Sequence, residues 1–411
     1  MTKINKTSRG VAAGAVLASL VALAACSSSG SSSSGSVSSS SSGSSAAGIT
    51  IMSLATTSSS SGANSPESDV AIRAAVQAAN NAGGINGVKV KVVSCNDQSD
   101  PNQAAACARQ AVADKVAAVV VGYTAEDEDA LPIVAAAKIP YIEAESTGTA
   151  SATNPDAFIV SSGGVGTSMM HGLATEELGC KTHAVLVNNV PAGIQLGNAV
   201  AAEIQAAGGT AVQLQVTPTE ADFAPVVATA YSKGAQCFDL VLTLSQSEAL
   251  VEAVRSSAHP TAMVGAVTAG FPPASLKALG SKADGLILTQ QYSSPQPSQV
   301  VADMKAVDPS APVTTFAIDG WTGAEVFLKA AERVKGTVDA ASVLNSLNTG
   351  GPISGISTIP TFNPSQPNPV SAFARDVATE GYAFKVVNGE LTPLTTLGLL
   401  NIQPGYNKIG A

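Results

Sequence analysis

The chain has 411 residues, with 21 Lys+Arg against 30 Asp+Glu and a formal net charge of -9. An acidic chain without a basic run is a poor match for nucleic acid or an anionic membrane surface, because both are recognised by clustered Lys and Arg. At 45% hydrophobic and 12% charged residues it is too apolar for a disordered polymer, and at about 150 residues per domain it holds two to three compact units. His171, His183 and His259 are far apart in sequence, and no HExxH, paired CxxC or Cys/His cluster appears, which argues against a zinc or di-metal enzyme. Neither a GxxxxGK[ST] phosphate loop nor a GxSxG elbow is present.

In chain order, Lys3, Lys6 and Arg9 precede an apolar stretch over 11–25, shorter than the roughly 20 residues that cross a bilayer. This is the layout of a secretory signal peptide, residues 1–25. Leu23-Ala24-Ala25-Cys26 resembles the bacterial lipoprotein box, which implies cleavage before Cys26 and lipidation of its sulfur; the other reading is an ordinary signal with a chance cysteine. Residues 27–47 are almost all Ser and Gly. They bury too little apolar area to offset ordering entropy and form a tether with a reach of roughly 25 Å.

From Gly48 onward, short β-branched runs alternate with Ala-rich stretches. Strands are expected over 49–54, 88–93, 116–121 and 141–142. Ser65 and Pro66 read as N-cap and first residue of the first helix, which stops at Gly83-Gly84. The alternation then restarts, with strands expected over 184–187, 211–216, 240–244, 262–266 and 285–289. Near-continuous apolar strands joined by helices predict an α/β fold of parallel sheets covered on both faces. Two such runs predict two lobes, 48–162 and 163–289, with a crossing near 158–163. Helices follow over 297–306, 320–335 and 339–347, then loops and a strand over 383–387. Segment 290–355 is expected to return to the first lobe and 356–411 to cross back, making a three-crossing hinge. Ligands sit outside the carboxyl ends of parallel strands, so two facing lobes define a closable cleft.

Apart from Cys26, the cysteines are Cys95, Cys107, Cys180 and Cys237; an exported chain can keep disulfides, and four cysteines allow three connectivities. Cys95 ends a strand and Cys107 lies on the next helix. Cys180 and Cys237 precede strands that are neighbours if the second lobe has the order 2-1-3-4-5. The expected pairs are Cys95–Cys107 and Cys180–Cys237; the alternative is four buried thiols.

Asn80-Asn81-Ala82-Gly83-Gly84-Ile85-Asn86-Gly87, followed by Lys89-Val90, resembles the N-x-A-G-G-I-N-G-x-x-V segment of the branched-chain amino-acid-binding family. These are type I periplasmic solute-binding proteins of ABC importers. Asp97 with Asp100-Pro101, Asp222-Phe223 before Asp239-Leu240-Val241, and Phe316-Ala317-Ile318-Asp319-Gly320 resemble further segments of that family, in order, over about 48–390. The glycines let a helix turn sharply into the next strand.

The resemblance implies a clamp in which first-lobe hydroxyls and amides hold an α-carboxylate and a second-lobe carboxylate holds the α-ammonium. Here the first-lobe loops read Gly122-Tyr123-Thr124-Ala125-Glu126, where the family's serine position falls near Ala125 or Glu126, and Glu143-Ala144-Glu145-Ser146-Thr147, where Ser146 and Thr147 keep hydroxyl chemistry. The acidic second-lobe position falls within Gly265-Ala266-Val267-Thr268, which has no carboxylate, and the family's aromatic falls near Gln246. Glutamates repel a carboxylate and attract an ammonium. Glu126, Glu143 and Glu145 therefore favour a neutral polar or amine-bearing ligand; the competing reading of Glu126 is a solvated helix start. Trp321 either faces ligand, as the family's aromatic there does, or is a buried structural residue. Tyr123, Thr124, Asn188, Gln246 and Thr268 complete the candidate contacts, whereas Gln290 and Gln291 read as hinge residues.

The resemblance thus implies a lipid-anchored solute-binding protein outside the cytoplasm that delivers a small solute to ABC permease and ATPase subunits. It implies a monomer with no cofactor, no metal and no catalysis of its own. A ligand-sensing lipoprotein on the same fold is one alternative; an exported enzyme is another, opposed by the lack of any readable nucleophile–base pair.

Overall fold

The structure, a computed structural model, describes residues 48–60, 64–145 and 149–410. The signal, Cys26, the tether, Ser146 and Thr147 lie outside the described residues. The first run of elements is β1 (Ile49–Ala55), α1 (Pro66–Asn81), β2 (Val90–Asn96), α2 (Pro101–Ala113), β3 (Val119–Val121), α3 (Asp127–Ala136), β4 (Tyr141–Glu143), α4 (Thr149–Thr153) and β5 (Ala157–Ile159). All five strands are parallel, in the order β2-β1-β3-β4-β5. Strand alternation explains the two-faced burial: Ile49 and Ile51 of β1 join one core, Met52 and Leu54 the opposite one.

The second run is α5 (Gly163–Glu177), β6 (Thr182–Asn188), α6 (Pro191–Ala206), β7 (Thr210–Val216), α7 (Ala224–Ser232), β8 (Cys237–Val241), α8 (Leu244–Arg255), β9 (Met263–Val267), α9 (Pro273–Leu279) and β10 (Ile287–Gln290). Its strands order as β7-β6-β8-β9-β10, again parallel. Then α10 (Ser298–Val307), α11 (Thr315–Glu332) and α12 (Ala340–Thr349) pack on the first sheet: Val300, Phe327 and Val343 share a core with Ile49 and Ile51. Ile353, Ile356 and Phe362 stay in that core. The chain leaves it near 377–380, where β11 (Glu380–Val387) adds antiparallel to β10, followed by β12 (Glu390–Pro393), β13 (Leu400–Asn401) and α13 (Gln403–Ile409). Three segments therefore join the two sheets, near 160–163, 290–292 and 377–380.

Several local expectations change. A fifth strand, Ala157–Ile159, occupies the start of the segment expected to be a crossing; it is too short to stand out as a periodic run. Leu244 starts α8 instead of ending a strand, because Thr243 and Gln246 form a capping box there. The helix expected from 320 begins at Thr315, where the Thr314 hydroxyl accepts the Ala317 N–H. Ser65 does not cap α1 with its side chain; the Ser68 hydroxyl instead donates 2.7 Å to the Ser65 carbonyl.

Both disulfides form, Cys95–Cys107 and Cys180–Cys237. The second follows from register: β6 lies beside β8 with His183 opposite Cys237, and Cys180 is just upstream. Next to it Asp239 is fully buried and accepts from three side chains: His183 Nδ1 at 2.8 Å, His171 Nδ1 at 3.2 Å and the Thr175 hydroxyl at 2.9 Å. Burial pushes this carboxyl up, but the two histidines outweigh it and hold Asp239 below the usual carboxylate range. Two other buried carboxyls behave oppositely. Glu203 on α6, which accepts the Gly405 N–H at 2.8 Å, and Asp376, which accepts from the Tyr406 hydroxyl at 3.2 Å, are both raised by burial to about 7.

The sign of their effect on stability is fixed by linkage. Between the unfolded values, 4.5 for Glu203 and 3.8 for Asp376, and about 7 the folded chain holds protons that the unfolded chain has released, so stability falls as pH rises through that window. Thermal unfolding should give a Tm that declines from about pH 5 to about pH 7, with a shallower decline in Glu203→Gln and Asp376→Asn. An equal slope in both variants would show that these carboxyls are not the source.

Candidate functional site

The carboxyl ends of β1, β2 and β3 are tied by one residue. Asp97, fully buried, accepts the Thr56 hydroxyl at 2.6 Å, the Thr124 hydroxyl, and the Ser99 N–H at 3.1 Å. Asn96 beside it accepts the Thr57 and Gln98 N–H groups, each at 3.0 Å. Loops that would otherwise be mobile are thereby fixed at the site where parallel sheets bind ligand. Thr124 is consequently a brace: its hydroxyl donates to Asp97 and accepts the Glu126 N–H at 2.9 Å.

An aromatic wall stands on this brace. The Tyr123 ring lies 4.4 Å from that of Phe316, tilted 45°, and both are partly exposed. Phe316 is in the first turn of α11 and was not singled out from the sequence; its place one turn before Asp319-Gly320 was the available signal. Trp321 lies elsewhere. It is 3% exposed in the first-lobe core, with its indole N–H donating 2.9 Å to Asp303. Helical spacing turns it away from Phe316, so the structural reading of Trp321 is the one the geometry supports.

Three first-lobe carboxyls stand at the loops and helix starts of this face, and two of them, Glu145 and Asp319, touch the connections. Glu126 heads α3 without using its side chain as a cap, and partial burial followed by the charges of Asp97 and the helix-start acids raises its pKa. Glu145 follows β4 at the first connection, and a Cβ on Gly164 would meet its Oε1 at 3.0 Å, which places this carboxylate against the start of α5. Burial raises the Glu145 carboxyl. Asp319 on α11 is buried, accepts the Tyr292 hydroxyl on Oδ1 and has the Gln291 side-chain amide beside it. Burial first, then the Glu145 charge, pushes Asp319 well up. Two neighbouring carboxyls that both resist ionisation form a locus that a cation would stabilise.

Glu143 is buried deeper, beside Asp127, and burial and that neighbour hold it well above its usual range. The Asp127 carboxylate accepts the Tyr141 hydroxyl at 2.6 Å. This pair belongs to the interior of the first lobe.

On the second sheet, Asn188 ends β6 with its Oδ1 unpartnered. Thr268, after β9, donates 3.1 Å to Gln290, and Gln290 in turn donates 3.0 Å to the Tyr292 carbonyl. Gln291 accepts the Thr167 hydroxyl at 3.0 Å. The Gln291 bond ties α5, just after the first connection, to the second connection, while Gln290 links the second connection to the loop after β9. Gln246 is fully engaged: it donates 2.9 Å to the Thr217 carbonyl and accepts from Thr243 at 3.0 Å. The named residues of this second face are uncharged, whereas those of the first are acidic.

Among the described residues, one buried group of metal-ligating types, Cys180, His183 and Cys237, has donor atoms within 4.8 Å of one another. The cysteines are joined in a disulfide and are not thiolate ligands. Two cavities, one at the amino ends of β9 and β10 and one around Phe362 and Ala378, lie away from this face. The strand carboxyl ends, with their neighbouring carboxyls and aromatic wall, are the better candidate site.

The chain belongs to the periplasmic binding protein family, whose model matches residues 48–375. Its fold is the two-lobed type I architecture of solute-binding proteins, which bind small molecules and are not enzymes. It is similar to a branched-chain amino acid ABC transporter protein from Rhodospirillum rubrum, with a TM-score of 0.73 and 18% identity over 85% of this chain and 100% of that one. It is also similar to the leucine-, isoleucine-, valine-, threonine- and alanine-binding protein from Brucella ovis in its closed conformation (TM-score 0.69, 15% identity, 88% and 97% covered). A third similar structure is an ABC transporter solute-binding protein from R. palustris in complex with 4-hydroxybenzoate (TM-score 0.60, 18% identity, 84% and 95% covered). Comparison with curated protein sequences finds no significant match. The family implies an extracytoplasmic location, and among the described residues no helix is long and apolar enough to cross a membrane.

Trp321 is the chain's single tryptophan, so its fluorescence reports one place. Its emission should be blue-shifted, resist acrylamide quenching and stay at the same wavelength when ligand binds. A ligand-dependent shift of the emission maximum would put Trp321 in the site.

Proposed function

We propose that this chain is the substrate-binding lipoprotein of an ABC importer, anchored at Cys26 and tethered by residues 27–47. It captures a small polar, amine-bearing solute between its lobes, closes about the three connections and docks on a permease whose ATPase supplies the energy. The observation that carries the ligand class is the juxtaposition of two carboxyls, the half-buried Glu145 and the buried Asp319, on the first-lobe face. An ammonium there lets the two carboxyls ionise together, whereas an α-carboxylate is repelled. Tyr123 and Phe316 offer aromatic faces to the cation or to an apolar part of the ligand. Asn188 and Thr268 supply neutral polar contacts from the opposite lobe. Glu126 widens the acidic field at the entrance, and Ser146 and Thr147 add hydroxyls beside Glu145.

A thermal-shift panel on a Cys26→Ser chain tests this reading with amines, polyamines, amides and urea against leucine, isoleucine and valine. An amine at 100 times its Kd should stabilise the chain by about 2.7 kcal/mol. Glu145→Gln should weaken that amine about tenfold or more. Affinity should also fall as pH drops, because protonated Glu145 no longer attracts an ammonium. Stabilisation by leucine but not by amines, unchanged in Glu145→Gln, would contradict the ligand class while leaving solute binding intact.

A further inference from the structure

A cavity of about 520 Å³ lies in the second lobe at the amino ends of β9 and β10, the opposite end of the strands from the candidate site. Its size falls within the roughly 300–1,000 Å³ of small-molecule pockets. Met263, Ile287 and Leu394 give it an apolar lining, and Arg255 and Lys385 bring two cations to it. Neither cation takes part in a salt bridge among the described residues.

Arg255 is held rigidly. Its Nε donates 3.1 Å to the Lys282 carbonyl, Nη1 donates 3.0 Å to that of Pro260 and 2.9 Å to that of Ala262, and Nη2 donates 3.3 Å to that of Asp284. Four of the five guanidinium N–H groups are thus placed. The neutral carbonyls orient the charge without cancelling it, and partial burial lowers the Arg255 pKa. Lys385, exposed on β11, lies directly opposite Ile287 of β10, so its ammonium stands on the same face as the apolar lining. Lys282 pairs with Glu252 at 2.7 Å, whereas Asp284, the acid that lines the cavity, accepts only the Gly389 N–H at 3.4 Å and keeps its negative charge. The cavity therefore combines a preorganised guanidinium and an ammonium, set against one carboxylate, with a greasy wall.

We propose that this cavity is a second ligand site that takes a small amphipathic carboxylate, its anion at Arg255 and Lys385 and its chain against Met263, Ile287 and Leu394. The site is separate from the cleft and does not depend on the cleft's ligand. Ser281 and Thr261 at its margin offer hydroxyls to the carboxylate.

Ligand-observed saturation-transfer NMR on the Cys26→Ser chain tests this with hexanoate, hexanamide and inorganic phosphate as probes. Arg255→Ala is avoided as the primary variant because it removes four carbonyl contacts. Thr261→Trp, at an exposed position, fills the cavity, and Lys385→Glu reverses one charge. Hexanoate should give saturable transfer that is lost in Thr261→Trp and weakened about tenfold or more in Lys385→Glu, with none from hexanamide. Three outcomes would overturn the proposal: no transfer to hexanoate, transfer unchanged in both variants, or phosphate binding as tightly as hexanoate.

Discussion

Parallel strands cannot be joined by hairpins, so each returns through a helix and all carboxyl ends of a sheet open on one side. That constraint organises this molecule. It turns both helical layers into cover for the sheets and leaves the loops after β1, β3, β4, β6 and β9 as the surfaces available to a solute. Loops are entropically costly to order, and Asp97 meets that difficulty on the first sheet. One buried carboxylate receives hydroxyls from the ends of β1 and β3 while standing at the end of β2. The aromatic wall of Tyr123 and Phe316 rests on that framework.

The second lobe is stabilised differently. Asp239 gathers His171 and His183 beneath β8, and the Cys180–Cys237 disulfide closes the same corner. Asp239 keeps its charge inside this lobe by pairing with histidines, whereas in the first lobe burial and the Glu145 charge push Asp319 well up. The second face offers amide and hydroxyl groups.

Much of the architecture was legible in the sequence because parallel strands are continuous apolar runs. The neighbouring of Cys180 and Cys237 followed from strand order alone. Short elements were not legible: Ala157–Ile159 is three residues with no period to detect, and the final β12, β13 and α13 are built from polar, Pro- and Gly-containing sequence whose structure depends on docking against α5 and α6. At the site, residue type was misleading where the fold engaged a side chain internally. Gln246 caps its own helix, Thr124 braces Asp97, and Trp321 fills the core. Phe316 was missed because a single aromatic in a helix start carries no signal until Tyr123 is placed 4.4 Å away.

The central claim is that a solute closes the two lobes on each other. Double electron–electron resonance between spin labels at Asp129 on α3 and Ser245 on α8, both exposed and one on each lobe, reads that closure directly. With an amine whose binding calorimetry has established, the distance distribution should shorten and narrow relative to the free chain. A distribution unchanged at saturating ligand would contradict the account, because binding would then occur without the lobes closing.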